Sequence, residues 1–448
     1  MEPPRPPLRL VPGGSAAASP ITVATPPFEL AALGTGLVLT TAMLARRPAW
    51  AAELGTFQAL FAVAFVFYAV ALLRIRRLAM LPNAPAVVLI VAFAARIALL
   101  PVAPTLSDDV YRYVWEGKVA AHGSDPYRQT PADPALAPLR DRVVHPRLNH
   151  PQLATIYPPL SIAGFALVAW LSPTVWAMKL WVVLHDLALI VALLMWARAR
   201  GASAWPVMAY AWNPLVLIEY AGNGHNDPTA LLWLVLALMW AERRPLLSAG
   251  ALSAGALVKL VPLLALPFLL RRWPWRARVL CLGLLAAGLG WFWIATRGAD
   301  SGLTAYWRAW RNNELVFHYL VHWTGGFAAA RTLALALVAI AIAFALVRRW
   351  SAANGTRLAL RTSLLVSPVV HPWYLGWALA LEPLGPSAPW LLLSLTAVLS
   401  YGLLAPPLEG GRFHLPLAWR WVEYGVPMAL AVTLGWKHRH DRSRGPSL

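Results

Sequence analysis

Apolar runs recur along this chain too often, and at too great a length, for a soluble core. They lie near 28–45, 56–73, 83–103, 159–171, 175–196, 204–219, 228–241, 246–270, 279–296, 329–347, 358–384, 389–405 and 417–436. Crossing a hydrocarbon layer takes roughly 20 apolar residues of helix, and every backbone polar group inside it must pair within its own segment. Those two constraints predict an all-α polytopic membrane protein with about 11–13 transmembrane helices. The composition agrees: only 13% of residues are charged, against about 25% in a soluble domain. No internal repeat is evident, and neither a Walker sequence nor G-x-G-x-x-G occurs, so no P-loop supplies ATP.

The formal net charge is +19, which on a soluble chain would suggest nucleic acid. Here the basic residues fall in short clusters between apolar runs. They are "RIRR" (74–77), "RAR" (198–200), "RR" (243–244), "RRWPWRAR" (271–278), "RR" (348–349) with Arg357 and Arg361, and "KHRHDRSR" (437–444). The positive-inside rule places all six on the cytoplasmic side and gives membrane lipids, not nucleic acid, as the partner. Arg46 and Arg47 then lie outside, against the rule. Segment counting is consistent with that topology if 159–171 dips in and returns. It also needs 246–270 to turn near Lys259, and 358–384 to climb to "HPWY" (371–374) and turn back. Backbone breaks at membrane depth are tolerated only around a protein-lined or wet cavity. Residues 1–26 read as a disordered cytoplasmic tail, 27–436 as one transmembrane domain and 437–448 as a basic cytoplasmic tail. The loops 104–157 and 297–328 fall on the outer face. The single Cys281 excludes an internal disulfide framework and a thiolate metal site.

The chemistry concentrates in "SDDVYRYVWEGKVAAHGSDPY" (107–127). A helix here would put Asp109, Arg112 or Tyr113, and Glu116 on one face, with Val110, Val114 and Val119 opposite. Such a helix would lie flat at the membrane surface with its aromatics at headgroup level. A carboxylate at that boundary suits a general base, Asp108 and Asp109 being the candidates. Tyr111, Arg112, Tyr113, Trp115 and Glu116 would then contact the sugar or acceptor. The adjacent acids could bind a divalent cation, but no further ligands follow at usual spacing, so no metal or other cofactor is expected. A second stretch, "WNPLVLIEYAGNGHNDP" (212–228), offers Asn223, His225, Asn226 and Asp227 for sugar hydroxyls, with Asp227 also suited to cap the next helix. Lys259 and Arg96 are cations inside apolar segments, which marks them as functional or paired with a buried acid; Asp186 invites the same structural reading. Arg308 and Arg311 share a helical face beside Trp307 and Trp310, and His371 stands with Trp373 and Tyr374 at a helix break. Lys259, Arg308, Arg311, His371 and Arg96 are the candidates to bind a lipid phosphate.

"SDDVYRYVWEGKV", "HGSDPY" and "YPPL" resemble the first extracytoplasmic loop of the GT-C glycosyltransferases. "WNPLVLIEYAGNGHND", "ALVKLVPLLALP" and "SPVVHPWYLGWALAL" follow in the order of the bacterial polyprenol-phosphate-mannose-dependent mannosyltransferase branch. The resemblance covers roughly 80–384, most of the core of that branch. It implies a GT-C fold in the bacterial inner membrane with an active site on the extracytoplasmic face. It further implies an inverting transfer of a sugar, mannose at family level, from a polyprenyl-phosphate donor to a glycan, glycolipid or protein acceptor. Asp109 would be the catalytic carboxylate with Asp108 beside it, and Lys259 and His371 would face the donor phosphate. A competing class, a transporter or flippase of lipid-linked sugar, predicts polar features at both faces and internal repetition.

Overall fold

A computed structural model of the chain describes residues 27–47, 49–75, 84–297, 301–404 and 415–443. The expected N-terminal tail lies outside these residues, as do Arg76 and Arg77 of the first basic cluster. Among the described residues the fold is all-helical, with one isolated bridge between Asn312 and Val369 in place of any strand. Five helices are long and apolar enough to cross a membrane: Phe28–Ala45, Leu54–Arg74, Val175–Ala199, Trp275–Thr296 and Phe327–Val347. Shorter apolar helices pack among them. The protein is a polytopic all-α membrane protein.

The N-terminal group is α1 (Pro27–Ala45), α2 (Leu54–Ile75) and α3 (Ala84–Leu99). α4 (Asp109–Ala121) packs along α5 (Pro159–Leu171), which passes almost directly into α6 (Val175–Ala199). Two short helices, α7 (Met208–Ala211) and α8 (Pro214–Val216), and a π-helical turn, Leu217–Gly222, lead to α9 (Asp227–Trp240). Then come α10 (Pro245–Val258), α11 (Leu266–Leu270) and α12 (Trp275–Thr296). The second polar loop carries α13 (Gly302–Ala309) and α14 (Val316–Thr324). α15 (Phe327–Val347), α16 (Ala352–Val366), α17 (Leu375–Leu379), α18 (Ala388–Thr396) and α19 (Leu417–Ser443) complete the bundle, the last running through most of the basic C-terminal stretch.

Three broken hairpins organise the centre, and side-chain pairs show where each turns. Lys259 ends α10 in an extended conformation. Glu242 before that helix meets Arg272 after the break at 2.8 Å, so the segment returns to its starting level. α16 stops at Ser367, and Arg357 donates to the carbonyl of Gly385 while Arg361 pairs with Glu382. That segment therefore also climbs to a tip, around His371, and descends. The third tip is Asn223–Asn226, between the π-turn and α9. It needs Gly224, whose φ of +80 is left-handed backbone, and where a Cβ would meet Lys179 Cγ at 2.9 Å and Val110 Cγ2 at 3.1 Å. All three tips gather beneath α4.

α4 departs from the flat interfacial helix that its sequence suggests. Nearly every residue from Val110 to Val119 is buried, the charged face included. Loop 149–155 folds over that face: Arg112 reaches Glu116 at 2.6 Å and donates to the carbonyls of Asn149, His150 and Leu153. Thr155 donates to Glu116 from the same loop. Tyr113 stacks on Phe165 of α5 at 4.8 Å. On the membrane side, Arg96 and Asp186 are both fully buried and paired at 2.7 Å, with Tyr210 donating to the other Asp186 oxygen at 2.7 Å. A charge at that depth persists only when paired, and the pairing keeps Arg96 away from any donor phosphate. Lys179, also buried, donates to the carbonyls of Leu99 and Val102 and closes the end of α3.

Candidate active site

Where the three tips meet α4, a cavity of about 310 Å³ opens between loop 149–158 and the start of α13. Asp109, the first residue of α4, points its carboxylate into it. Asn149 Nδ2 donates to Asp109 Oδ1 at 3.3 Å. Burial pushes the Asp109 carboxyl up to about 6, and the Lys259 charge and the Asn149 hydrogen bond restrain that rise. Asp108 is exposed, sits at the cap position without a side-chain cap bond, and does not line the cavity. The two adjacent acids are thereby distinguished by geometry, since residue i and residue i+1 of a helix start cannot share one face.

Lys259 faces Asp109 from the tip of the α10 hairpin. Its ammonium pairs with Asp227 Oδ1 at 2.6 Å and lies 5.0 Å from the ring centre of Tyr374 and 5.4 Å from that of Trp377. Trp377 Nε1 donates to the same Asp227 oxygen at 2.6 Å. Asp227 is thus the acid that holds Lys259 in place. It occupies the first turn of α9, with Asn226 as the capping residue, and is almost fully buried.

Beneath Asp109 lies a stack of three rings. His371 packs flat on Trp373 at 4.2 Å, and Trp373 packs flat on His225 at 3.7 Å. His225 is buried between two carboxylates, with Nδ1 3.7 Å from Asp109 Oδ2 and Nε2 3.4 Å from Glu219 Oε2. Neither ring nitrogen has a closer partner. Glu219 in turn accepts from Tyr401 and from Asn223. An imidazole poised between two carboxylates can hold Asp109 in position and tolerate a proton on it. His371 is fixed by Asn312, whose side chain is 2.9 Å from His371 Nδ1 and whose backbone bonds Pro368 and Val370 on either side of the bridge.

Of the residues singled out in the sequence, Asp109, Arg112, Tyr113, Lys259, His371, Trp373 and Tyr374 line this cavity. His225 and Asp227 lie directly behind the lining. Tyr111, Trp115 and Glu116 pack inside the loop domain: Arg147 covers the Tyr111 ring, Trp115 meets His145, and Glu116 is held by Arg112. Asn223 and Asn226 are buried outside the cavity lining, their amide nitrogens donating to Glu219 and Ser161. Arg308 is exposed and outside the lining, and Arg311 is paired with Glu314. The structure adds Asn149, His150, Tyr306, Trp310 and Trp377 to the lining. Tyr306 joins Tyr374 hydroxyl to hydroxyl at 3.2 Å and stacks with Trp310 at 5.9 Å. Trp310 lies in the charged-aromatic stretch already noted. Asn149, in a proline-rich loop, carries no signal that spacing can reveal. Among the described residues no cluster of His, Cys, Asp and Glu has the makings of a metal site.

Residues 21–275, more than half of the chain, match the family profile described as "Alpha-(1->6)-mannopyranosyltransferase, N-terminal domain". The chain belongs to this family. A relative named as a probable alpha-(1->6)-mannopyranosyltransferase from Mycolicibacterium smegmatis is 25% identical over 396 residues, covering 71% of this chain and 69% of that protein. An alpha-(1->6)-mannopyranosyltransferase from Mycobacterium tuberculosis is 25% identical over 417 residues, covering 71% and 68%. No solved structure matches the chain. The family assignment makes the protein a membrane-embedded glycosyltransferase. The matched span contains Asp109, His225, Asp227 and Lys259, whereas Tyr306 and the His371 tip lie beyond it.

Proposed function

We propose that the protein transfers mannose from a polyprenyl-phosphate-linked donor to a hydroxyl of a glycan or glycolipid acceptor. Transfer is inverting, and takes place on the extracytoplasmic face of a bacterial inner membrane. The observation that carries this reading is the opposition of one carboxylate, Asp109, and one ammonium, Lys259, across an aromatic cavity. Asp109 takes the proton of the acceptor hydroxyl as that oxygen attacks the anomeric carbon. The bond from that carbon to the phosphate oxygen breaks, and Lys259 stabilises the charge that gathers on the departing lipid phosphate. Asp109 is the only carboxylate among the described lining residues, which suits a single displacement; a retaining route would need a second carboxylate or other nucleophile. An α-linked product, the linkage in the relatives' names, then calls for a β-linked donor. Leu260, Val261 and Leu303 line the cavity alongside the polar groups, as a prenyl chain would require. The arginines at 200, 243 and 272 gather at the other end of the bundle, which supports an outward-facing site by the positive-inside rule.

The direct test is purified protein with mannosyl polyprenyl phosphate and a panel of mannan and glycolipid acceptors. A mannosylated product with inverted anomeric configuration is expected. Movement of the lipid-linked sugar between leaflets without transfer would replace this reading with a flippase. The acid side of the pH profile offers a second check. A base is active only when ionised, so with Asp109 held at about 6 the rate should rise through about pH 6. An ordinary aspartate would give that rise near 3.8. Asn149→Ala removes a hydrogen bond to the ionised form and should move the rise to higher pH. A profile that rises near pH 4 in both proteins would contradict the assignment of the base.

A further inference from the structure

At the far end of the bundle a second cavity, of about 320 Å³, lies among the ends of α6, α9 and α16. Those helices connect it to the first. α6 has Lys179 beside Gly224 near its start, and Trp196 and Ala199 in the second cavity at its end. α9 begins at Asp227, behind the first cavity, and finishes at Leu238 and Met239 in the second. α16 begins with Ala352 and Ala353 in the second cavity, and Ser367 just past its end lines the first. Its 15 residues separate the two by about 22 Å.

The charge of this cavity is one-sided. Arg200, Arg243 and Arg272 line it, and Glu242 is the one acid among its described lining residues. Glu242 is 74% exposed and engages Arg272 alone. Arg200 is exposed and lies over the Trp196 ring at 5.8 Å. Arg243 has no ion pair or side-chain hydrogen bond among the described residues. The α16 N-terminus enters from the opposite wall. Ser351 caps it through the amide of Asn354, while the first-turn amides of a helix have no partner inside it and carry its positive end. Trp196, Leu238 and Met239 supply an apolar floor.

We propose that this cavity binds a phosphate ester: guanidinium forks and helix amides for the phosphate, the apolar floor for the carbon chain it bears. A lipid headgroup and a soluble phosphate present the same group. Native mass spectrometry of the full-length protein separates the two, with cardiolipin as the anionic lipid, phosphatidylcholine as control and inorganic pyrophosphate as the soluble probe. Cardiolipin should bind, and Arg200→Gln/Arg243→Gln/Arg272→Gln should weaken it by about a hundredfold, the effect of three basic side chains at a lipid surface. Arg243→Gln alone, which breaks no contact, should weaken it by about fivefold. Displacement of cardiolipin by millimolar pyrophosphate assigns a soluble phosphate as the natural occupant; failure to displace it assigns a lipid. Equal binding of both probes by wild type and by both variants would overturn the site. Glycosyl transfer in detergent should be unchanged in the variants, so this test stands or falls apart from the reading of Asp109.

Discussion

Asp109→Asn should lower the rate of glycosyl transfer by about 10²–10⁴-fold, the range for loss of a general base, in a protein that inserts and folds normally. The stability side of this expectation has a definite sign. The folded state holds the Asp109 carboxyl at about 6, above its ordinary 3.8, so it binds the proton more tightly than the unfolded chain does. Ionisation therefore weakens the fold as pH rises between those two values, and above about 6 the whole cost is present. Asn carries no charge and escapes it. The midpoint of thermal inactivation at pH 7.5 should equal or exceed that of the wild type. Rates with saturating donor, together with that midpoint, check both halves. Near wild-type turnover would remove Asp109 from the chemistry, and a lower midpoint would show that the carboxylate supports the fold.

Lys259→Met should combine two losses that can be separated. Without the ammonium, the only cation left in the lining is Arg112, already engaged by Glu116 and three carbonyls, and transfer should fall by about 10²–10³-fold. Asp227, almost fully buried, would keep only the Trp377 hydrogen bond. An uncompensated buried charge of that kind costs about 3–5 kcal/mol. Lys259→Met/Asp227→Asn removes the stranded charge and should restore most of the stability while leaving transfer low. The pair of variants is read by thermal inactivation and by turnover. Recovery of transfer along with stability would mean that Lys259 serves only to neutralise Asp227.

What the sequence disclosed follows from how each feature is encoded. Helices and their breaks are local: run length identifies α2, α6, α12 and α15, and Lys259 with Pro262, or "SPVVHP", interrupts an apolar run where it stands. Two of the three hairpin tips, at Lys259 and around His371, are legible for that reason. Partnerships are non-local and left no such mark. Nothing in spacing joins Arg96 to Asp186, Lys259 to Asp227 or Asn149 to Asp109. The sequence offers Arg96, Arg308 and Arg311 with Lys259 as candidate phosphate ligands because each is a cation in or near a membrane segment. Only packing shows that the first is neutralised inside the bundle, the second is exposed and the third is tied to Glu314. The charged face of α4 misled for the same reason. Its burial depends on loop 149–155, some 40 residues away, whose carbonyls need the Arg112 fork as much as that fork needs them.

The meeting of the hairpin tips also bears on how the protein is made. Asp109 and Lys259 emerge from the ribosome before Tyr306, His371, Trp373 and Trp377. A nascent chain paused near residue 275 would hold Asp109 and the Lys259–Asp227 pair without the tyrosines and tryptophans that close the cavity from residue 306 onward. The cavity is thereby completed only when the hairpin around His371 has joined the bundle.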